Sequence, residues 1–315
     1  PQPIPAVHAE MNARRAQQVF TPEEFKVANE KELTKMFEEH HTLKTITRRD
    51  IEHGAIYLPL VPVFKYKHDG RRTARYAANG KHQPPDSYGA TYAGMSDPAN
   101  RIAALALNIA YIVTNDKVHK MILWRADVPA AFLQSRLPRS ATGGKMLYTR
   151  MPSFLPEKTT LGSGAPGPLP NSLAEFIGNC YGIKNANYIF DQSFIKLLLD
   201  LGYRQHPLDS YLFRKQCPVD PTDFSEVSTH VDDLSGCCTS VVLYEELESA
   251  LRKRFGDEMQ FHTDGSGICG QEQVRTPTYV KVHMGTYLRA ACSAAGYDKL
   301  PGALTPSILT PGGLF

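Results

Sequence analysis

The chain has 315 residues, 42% of them hydrophobic, with 35 basic against 32 acidic side chains and a formal net charge of +3. That suits a sizeable core, in one large multi-lobed unit or two domains, and excludes a bulk polycation, so any nucleic-acid groove must come from local clustering. Six cysteines without C-x-x-C spacing suggest neither a zinc site nor a disulfide framework, and no apolar run approaches the ~20 residues of a membrane span.

A reducing, intracellular compartment is the expectation. The start at Pro1 rather than Met reads as a piece of something longer. Residues 1–20 are polar, without a clear period, and read as a tail or linker. Thr21-Pro22-Glu23-Glu24 predicts a helix start, with Thr21 as N-cap and Pro22 at the first position. That helix runs to about His40. Ile56 to Lys67 reads as a strand whose prolines favour an edge. His68-Asp69-Gly70 is a turn, and Arg71 to Lys81 a second strand. The hairpin carries Lys65, Lys67, Arg71, Arg72, Arg75 and Lys81. Such a row is either a solvated edge or a flap that holds phosphates.

Ser96-Asp97-Pro98 caps a helix from about Ala99 to Val113, with Ile102, Leu105, Ile109 and Ile112 as its apolar face. Lys120 to Val128 predicts a buried strand ending in Asp127. An acid that closes an apolar strand and precedes Val128-Pro129-Ala130-Ala131-Phe132-Leu133 is poorly explained as surface. Leu147 to Pro152 is a short strand and residues 156–170 a loop. Leu173 to Gly182 leads into a helix from about Ala186 to Leu201, closed by Gly202. Leu208 to Arg214 is a strand expected to pair with the hairpin that follows.

That hairpin holds the most informative stretch, Ser228-Thr229-His230-Val231-Asp232-Asp233-Leu234-Ser235-Gly236. Strand-like runs flank two adjacent carboxylates, which marks a tight turn. Neighbouring anions repel, and a hard divalent cation with oxygen ligands would compensate them. Two such ions about 3.5–4 Å apart can clamp an in-line phosphoryl displacement. An acidic pair at a turn is also ordinary solvated turn chemistry, so a third acid decides, and Asp127 is the candidate. Beyond it, Val242 to Phe255 is an amphipathic helix with Lys253 and Arg254 late, where they suit the dipole. A strand from about Ile268 to Val274 and a helix from Tyr279 to Ala291 follow. The tail after Tyr297 is rich in Pro and Gly.

The order of motifs resembles the reverse transcriptase of Ty1/copia-type LTR retrotransposons. It runs Phe64-Lys65-Tyr66-Lys67-His68-Asp69-Gly70 with Arg75, Gly80 and Gln83, then Asp127-Val128-Pro129-Ala130-Ala131-Phe132-Leu133 and Tyr181-Gly182-Ile183-Lys184-Asn185-Ala186. His230-Val231-Asp232-Asp233, Cys269-Gly270-Gln271-Glu272 and Thr305-Pro306 complete it. Each motif is weak alone; their order across nearly the whole chain carries the likeness.

The resemblance implies an α+β, right-hand polymerase: fingers, a palm with an antiparallel sheet, and a thumb. Residues 1–23 would be a tail, 24–120 fingers with the basic flap, 121–240 palm with a fingers segment, and 241–315 the palm's end, a thumb-like region and a C-terminal tail. The implied reaction is RNA-directed DNA synthesis, in which a primer 3′-hydroxyl attacks the α-phosphate of a deoxynucleoside triphosphate. By resemblance Asp127 and Asp232 would hold two Mg²⁺ ions, or Mn²⁺ in their place, with Asp233 auxiliary and the Val128 backbone near the triphosphate. Phe132 would be the gate against a 2′-hydroxyl; a plain core phenylalanine is the alternative. Arg75, with Arg72 and Lys65, would clamp the triphosphate. Tyr181 and Gly182 would line the nucleotide, His230, Gln271 and Glu272 the primer, and Lys253 and Arg254 the duplex phosphates.

The implied partners are an RNA or DNA template with its primer, deoxynucleoside triphosphates, and neighbouring integrase and RNase H domains of a polyprotein, in a cytoplasmic particle or the nucleus. The chain departs from the family at His230, where Tyr is usual, and there a hairpin histidine with a backbone partner is the plainer reading. It departs also at Asn185, Asn187, Thr73 and Asn79. Two other readings stay open: a non-catalytic relative that binds nucleic acid or proteins, and an unrelated metal-dependent enzyme such as a sugar-nucleotide transferase.

Overall fold

The computed structural model describes residues 10–66, 70–263, 271–276 and 279–294. Lys67, His68, Asp69, Cys269, Gly270, Thr305 and Pro306 of the motifs lie outside them, as does the tail after Tyr297.

The first helix, α1 (Ala13–Val19), falls where a tail was expected. Asn12 caps it by accepting from Arg15 N at 2.9 Å. Its Ala13 and Ala16, with Met11 and Phe20, bury against Phe64 and Tyr66 of the flap. Short apolar residues between charges hid this face from the sequence. Helix α2 (Pro22–Thr34) carries the expected capping box: Glu24 N donates to Thr21 Oγ1 and Thr21 N to Glu24.

Strand β1 (Leu43–Ile46) was not anticipated. The run from Ile56 is broken at Leu58-Pro59 into β2 (Ile56–Tyr57) and β3 (Leu60–Tyr66), which join different sheets. A proline without an N–H ends the first ladder. β3 pairs antiparallel with β4 (Arg72–Ala78) in a two-stranded flap. Helix α3 (Pro98–Thr114) is capped by Asp97, whose carboxylate accepts from Ala99 N and Asn100 N. It buries Arg101, Asn108 and Ile112, and leaves Ile102 exposed. Leu105 and Ile109 pack beside Ile112 against the sheet, so the expected stripe faces the core except at Ile102, and Arg101 and Asn108 join the buried face.

Next come β5 (Ile122–Asp127), β6 (Leu147–Arg150), β7 (Leu173–Phe176) and α4 (Ala186–Asp200), which Gly202 follows at φ +85°. β8 (Arg204–His206), β9 (Asp209–Gln216), β10 (Phe224–His230) and β11 (Asp233–Cys238) lead to α5 (Val241–Phe255) and β12 (Gln260–His262). β13 (Glu272–Arg275) and β14 (Val280–His283) make a hairpin before α6 (Gly285–Ala294). Tyr279 to His283 was expected as helix. Val280 and Val282 alternating with Lys281 and His283 is a strand pattern, and it prevails.

The principal sheet has six strands in the order β12-β5-β11-β10-β9-β8, all neighbours antiparallel. A second, of four strands, runs β1-β7-β6-β2. Trp124, Ala126, Phe213, Val227 and Leu234 of the large sheet pack against Phe190, Phe194 and Leu198 of α4 and Leu247 and Leu251 of α5. Leu123, Phe224 and Cys237 pack against Ile112 of α3. Side chains alternate along a strand, so α4 and α5 cover one face and α3 the other. The protein is a mixed α/β structure compatible with the α+β expectation. Among the described residues no helix is long and apolar enough to cross a membrane.

Candidate acidic site at the sheet edge

Strand register brings two of the acidic candidates together. β5 and β11 align so that Asp127 stands opposite Asp233. Cross-strand partners lie about 4.5–5.5 Å apart at Cα and share one face of the sheet. His230 pairs with Asp233 across the hairpin, which leaves Val231 and Asp232 as its two-residue turn. Val128 N donates to the Asp232 carbonyl oxygen at 2.9 Å and fastens that turn to the chain leaving β5.

The backbone is strained on both sides of this contact. Val231 has φ +60°. A positive φ at the first turn position suits a hairpin's twist, but glycine normally supplies it, and a β-branched residue rarely goes there. Ala130, at φ +51°, opens the short 3-10 turn from Ala131 to Gln134 that carries Phe132.

Asp232 is exposed at the hairpin tip. The chain packed beneath it still removes water. Burial pushes its carboxyl above the ordinary carboxylate range, and the Asp233 charge adds to that. A backbone hydrogen bond and the positive charges of Arg75 and His230 oppose it. His230 is half-buried, and its Nδ1 is enclosed without a hydrogen-bond partner among the described residues. The backbone partner expected for this ring is therefore absent there.

Arg75 reaches the same neighbourhood from the flap. Its guanidinium lies 4.4 Å from the centre of the Tyr181 ring. Tyr181 meets Phe132 edge-on at 5.6 Å, and Phe132 meets Phe190 at 6.1 Å. Burial pushes the Tyr181 hydroxyl well above its usual range, against the pull of Arg75. Phe132 is half-buried and packs against the core cluster beneath α4. The flap is held at this position by backbone: Ala78 N donates to the Tyr181 carbonyl at 2.6 Å. Gly182 sits at φ +83°, where a Cβ would run into the Ala78 carbonyl oxygen.

The remaining candidates divide. Lys65 and Arg75 share a face of the flap, because Lys65 pairs with Thr73. Lys65 is ion-paired with Glu10 at 2.7 Å. Arg72 leaves the opposite face, where it pairs with Glu24 of α2 at 3.0 Å and stacks 4.5 Å from the Tyr66 ring. It is therefore no partner of Arg75. Three positions apart on a strand means opposite faces, a signal the sequence already held. Gln271 borders a cavity on the α3 face. Glu272 is occupied with α6, accepting from Thr286 N at 2.7 Å. Lys253 is exposed, and Arg254 donates to the Gln134 carbonyl at 2.9 Å. Their helix α5 covers the sheet face opposite Asp127 and Asp233, so neither joins the acids. Glu10 was missed, since its role depends on α1 packing beside the flap.

Asp127 stands across the strands from Asp233, and Asp232 precedes Asp233 at the turn; carboxylate oxygens are the ligands a hard cation takes. Among the described residues, no three His, Cys, Asp or Glu side chains are gathered as a group that could hold an ion. No protein-family model matches the chain, and no curated protein matches its sequence.

Proposed function

We propose that this chain is the reverse transcriptase domain of a copia-type retrotransposon polyprotein, a right-hand polymerase that transfers nucleotides from deoxynucleoside triphosphates to a primer 3′-hydroxyl. The observation that carries the reading is the register that sets Asp127 opposite Asp233 while Val128 N clasps the Asp232 carbonyl. Separate motifs of the resemblance thereby meet at one end of the sheet's strands. Arg75, Tyr181 and Phe132 stand beside them in a contacting row.

On this reading Asp127, Asp232 and Asp233 would hold Mg²⁺, which would stabilise charge on the transferring phosphoryl group. Arg75 binds the triphosphate, and Tyr181 fixes the orientation of that guanidinium. Phe132 presents its half-exposed ring to the sugar. Little covalent work falls to the protein, so positioning and charge dominate.

The test is extension of a primer on an RNA template in the presence of Mg²⁺. Incorporation that disappears in Asp232→Asn supports the assignment; extension unchanged by that substitution ends it. In Phe132→Ala, incorporation of ribonucleotides should rise relative to deoxynucleotides.

A second reading rests on the departures from the family pattern at His230 and Asn185. A non-catalytic relative would bind duplexes in a salt-sensitive way and incorporate nothing at any Mg²⁺ or Mn²⁺ concentration.

A further inference from the structure

On the α3 face of the large sheet, between that helix and the β13–β14 hairpin, lies an open cleft with a cavity of about 40 Å³. Arg101 from the first turns of α3 borders it. Its residue is only 7% exposed, and its Nε and Nη1 have no hydrogen-bond partner among the described residues. A guanidinium taken out of water without a counter-charge is costly. Something must offset that cost.

The walls offer donors. Ser228 and Ser235 line the cavity and share one hydrogen bond, Oγ to Oγ at 2.8 Å. When Ser228 is the donor in that contact, the Ser235 hydroxyl proton is left to serve a ligand; in the other direction the Ser228 proton goes to the Ser235 carbonyl oxygen at 3.4 Å. Gln271 and Gln273 border it too, and a glutamine side chain carries an amide donor. The acid on the wall, Glu226, is already engaged: Asn108 donates to it at 2.7 Å, and Arg214 lies 3.5 Å away. With Glu226 engaged by Asn108 and Arg214, the Nε and Nη1 of Arg101 are left without a partner among the described residues of this wall.

We propose that this cavity binds a phosphate group, with the Arg101 guanidinium as its charge and Ser228, Ser235, Gln271 and Gln273 as donors around it. Donors converging from several directions suit a tetrahedral anion better than a planar carboxylate. Ser235 follows Asp233 by two positions on β11 and shares its face, about 7 Å further along the strand. A polynucleotide passing over the acids therefore brings its phosphates to this cavity. That attribution to a strand rests on the polymerase reading; the anion site itself does not.

The experiment is titration of inorganic phosphate into the whole chain without divalent metal, against chloride at equal ionic strength, followed by thermal shift and calorimetry. Phosphate should raise the melting temperature of the wild type. In Arg101→Met that rise should vanish and affinity should fall roughly tenfold or more. Ser235→Asp supplies an internal counter-charge to Arg101, so it should keep the fold and abolish phosphate binding. Equal phosphate binding in all three proteins overturns the proposal, and so does the absence of any phosphate effect on the wild type.

A single-stranded oligonucleotide separates the two sources of phosphate. If a strand occupies the cavity, Arg101→Met lowers the slope of log affinity against log salt by about 0.7. An unchanged slope with lost phosphate binding means that the cavity takes the free ion and overturns the strand attribution. Phosphate binding that survives where primer extension is absent would sink the polymerase reading alone.

Discussion

Asp127 and Asp233 face each other across β5 and β11, at the strand ends where the Asp232 turn is tied to Val128. Antiparallel pairing fixes their separation more tightly than any side-chain contact could, because a one-residue slip would move one carboxylate to the opposite face.

The raised proton affinity of Asp232 gives a pH signature. Its carboxyl holds a proton more readily in the folded chain than in the unfolded one. The charged form therefore costs stability. That cost is absent below the ordinary carboxylate value of about 3.9 and appears as pH rises through the raised folded value. Asp232→Asn should raise the melting temperature at neutral pH, and the gain should shrink to nothing in acid. A gain that persists in acid would remove the electrostatic account. The same variant should lose roughly a hundredfold or more in primer extension.

Arg75 and Arg72 make a paired test of the flap. Arg75→Met removes the cation beside Tyr181 and Asp232, and should raise the KM for deoxynucleoside triphosphates roughly tenfold. Arg72→Met removes a surface ion pair to Glu24 and should cost about 0–1 kcal/mol of stability with little change in KM. Equal kinetic effects from the two would mean that the faces of β4 do not divide their roles.

Gly182→Ala should be severe. At φ +83° the added methyl would strike the Ala78 carbonyl oxygen, which is backbone and cannot swing aside. A loss of about 2 kcal/mol or more is expected in chemical denaturation. The substitution should also loosen the flap, visible as faster amide exchange at Ala78.

Val231→Gly should trade function for stability. Glycine removes left-handed strain worth about 1–2 kcal/mol and costs about 0.5–1 kcal/mol in chain entropy. A net gain in denaturation midpoint with reduced extension is the expected pair of results. A drop in stability would show that the turn is not strained.

Much of the local structure was legible from residues alone. The capping box at Thr21 and Glu24, the end of α4 before Gly202, and the strands around Asp232 rest on short-range chemistry that the sequence states outright. The β14 strand was misread as helix because a few β-branched residues carry either pattern until a partner strand is present. Helix α1 was overlooked because its core is two alanines, whose burial depends on the flap above them.

By itself the sequence determined which residues are acids, where the tight turn falls, and that the flap bears Lys65, Arg72 and Arg75. Tertiary structure alone decided that Asp127 faces Asp233, that Arg75 meets Tyr181 while Arg72 turns away to Glu24, and that Arg101 is enclosed rather than solvated. The reason is physical. Turn and cap preferences act over three or four neighbours, whereas register, facing and burial are set by which distant surfaces exclude water together.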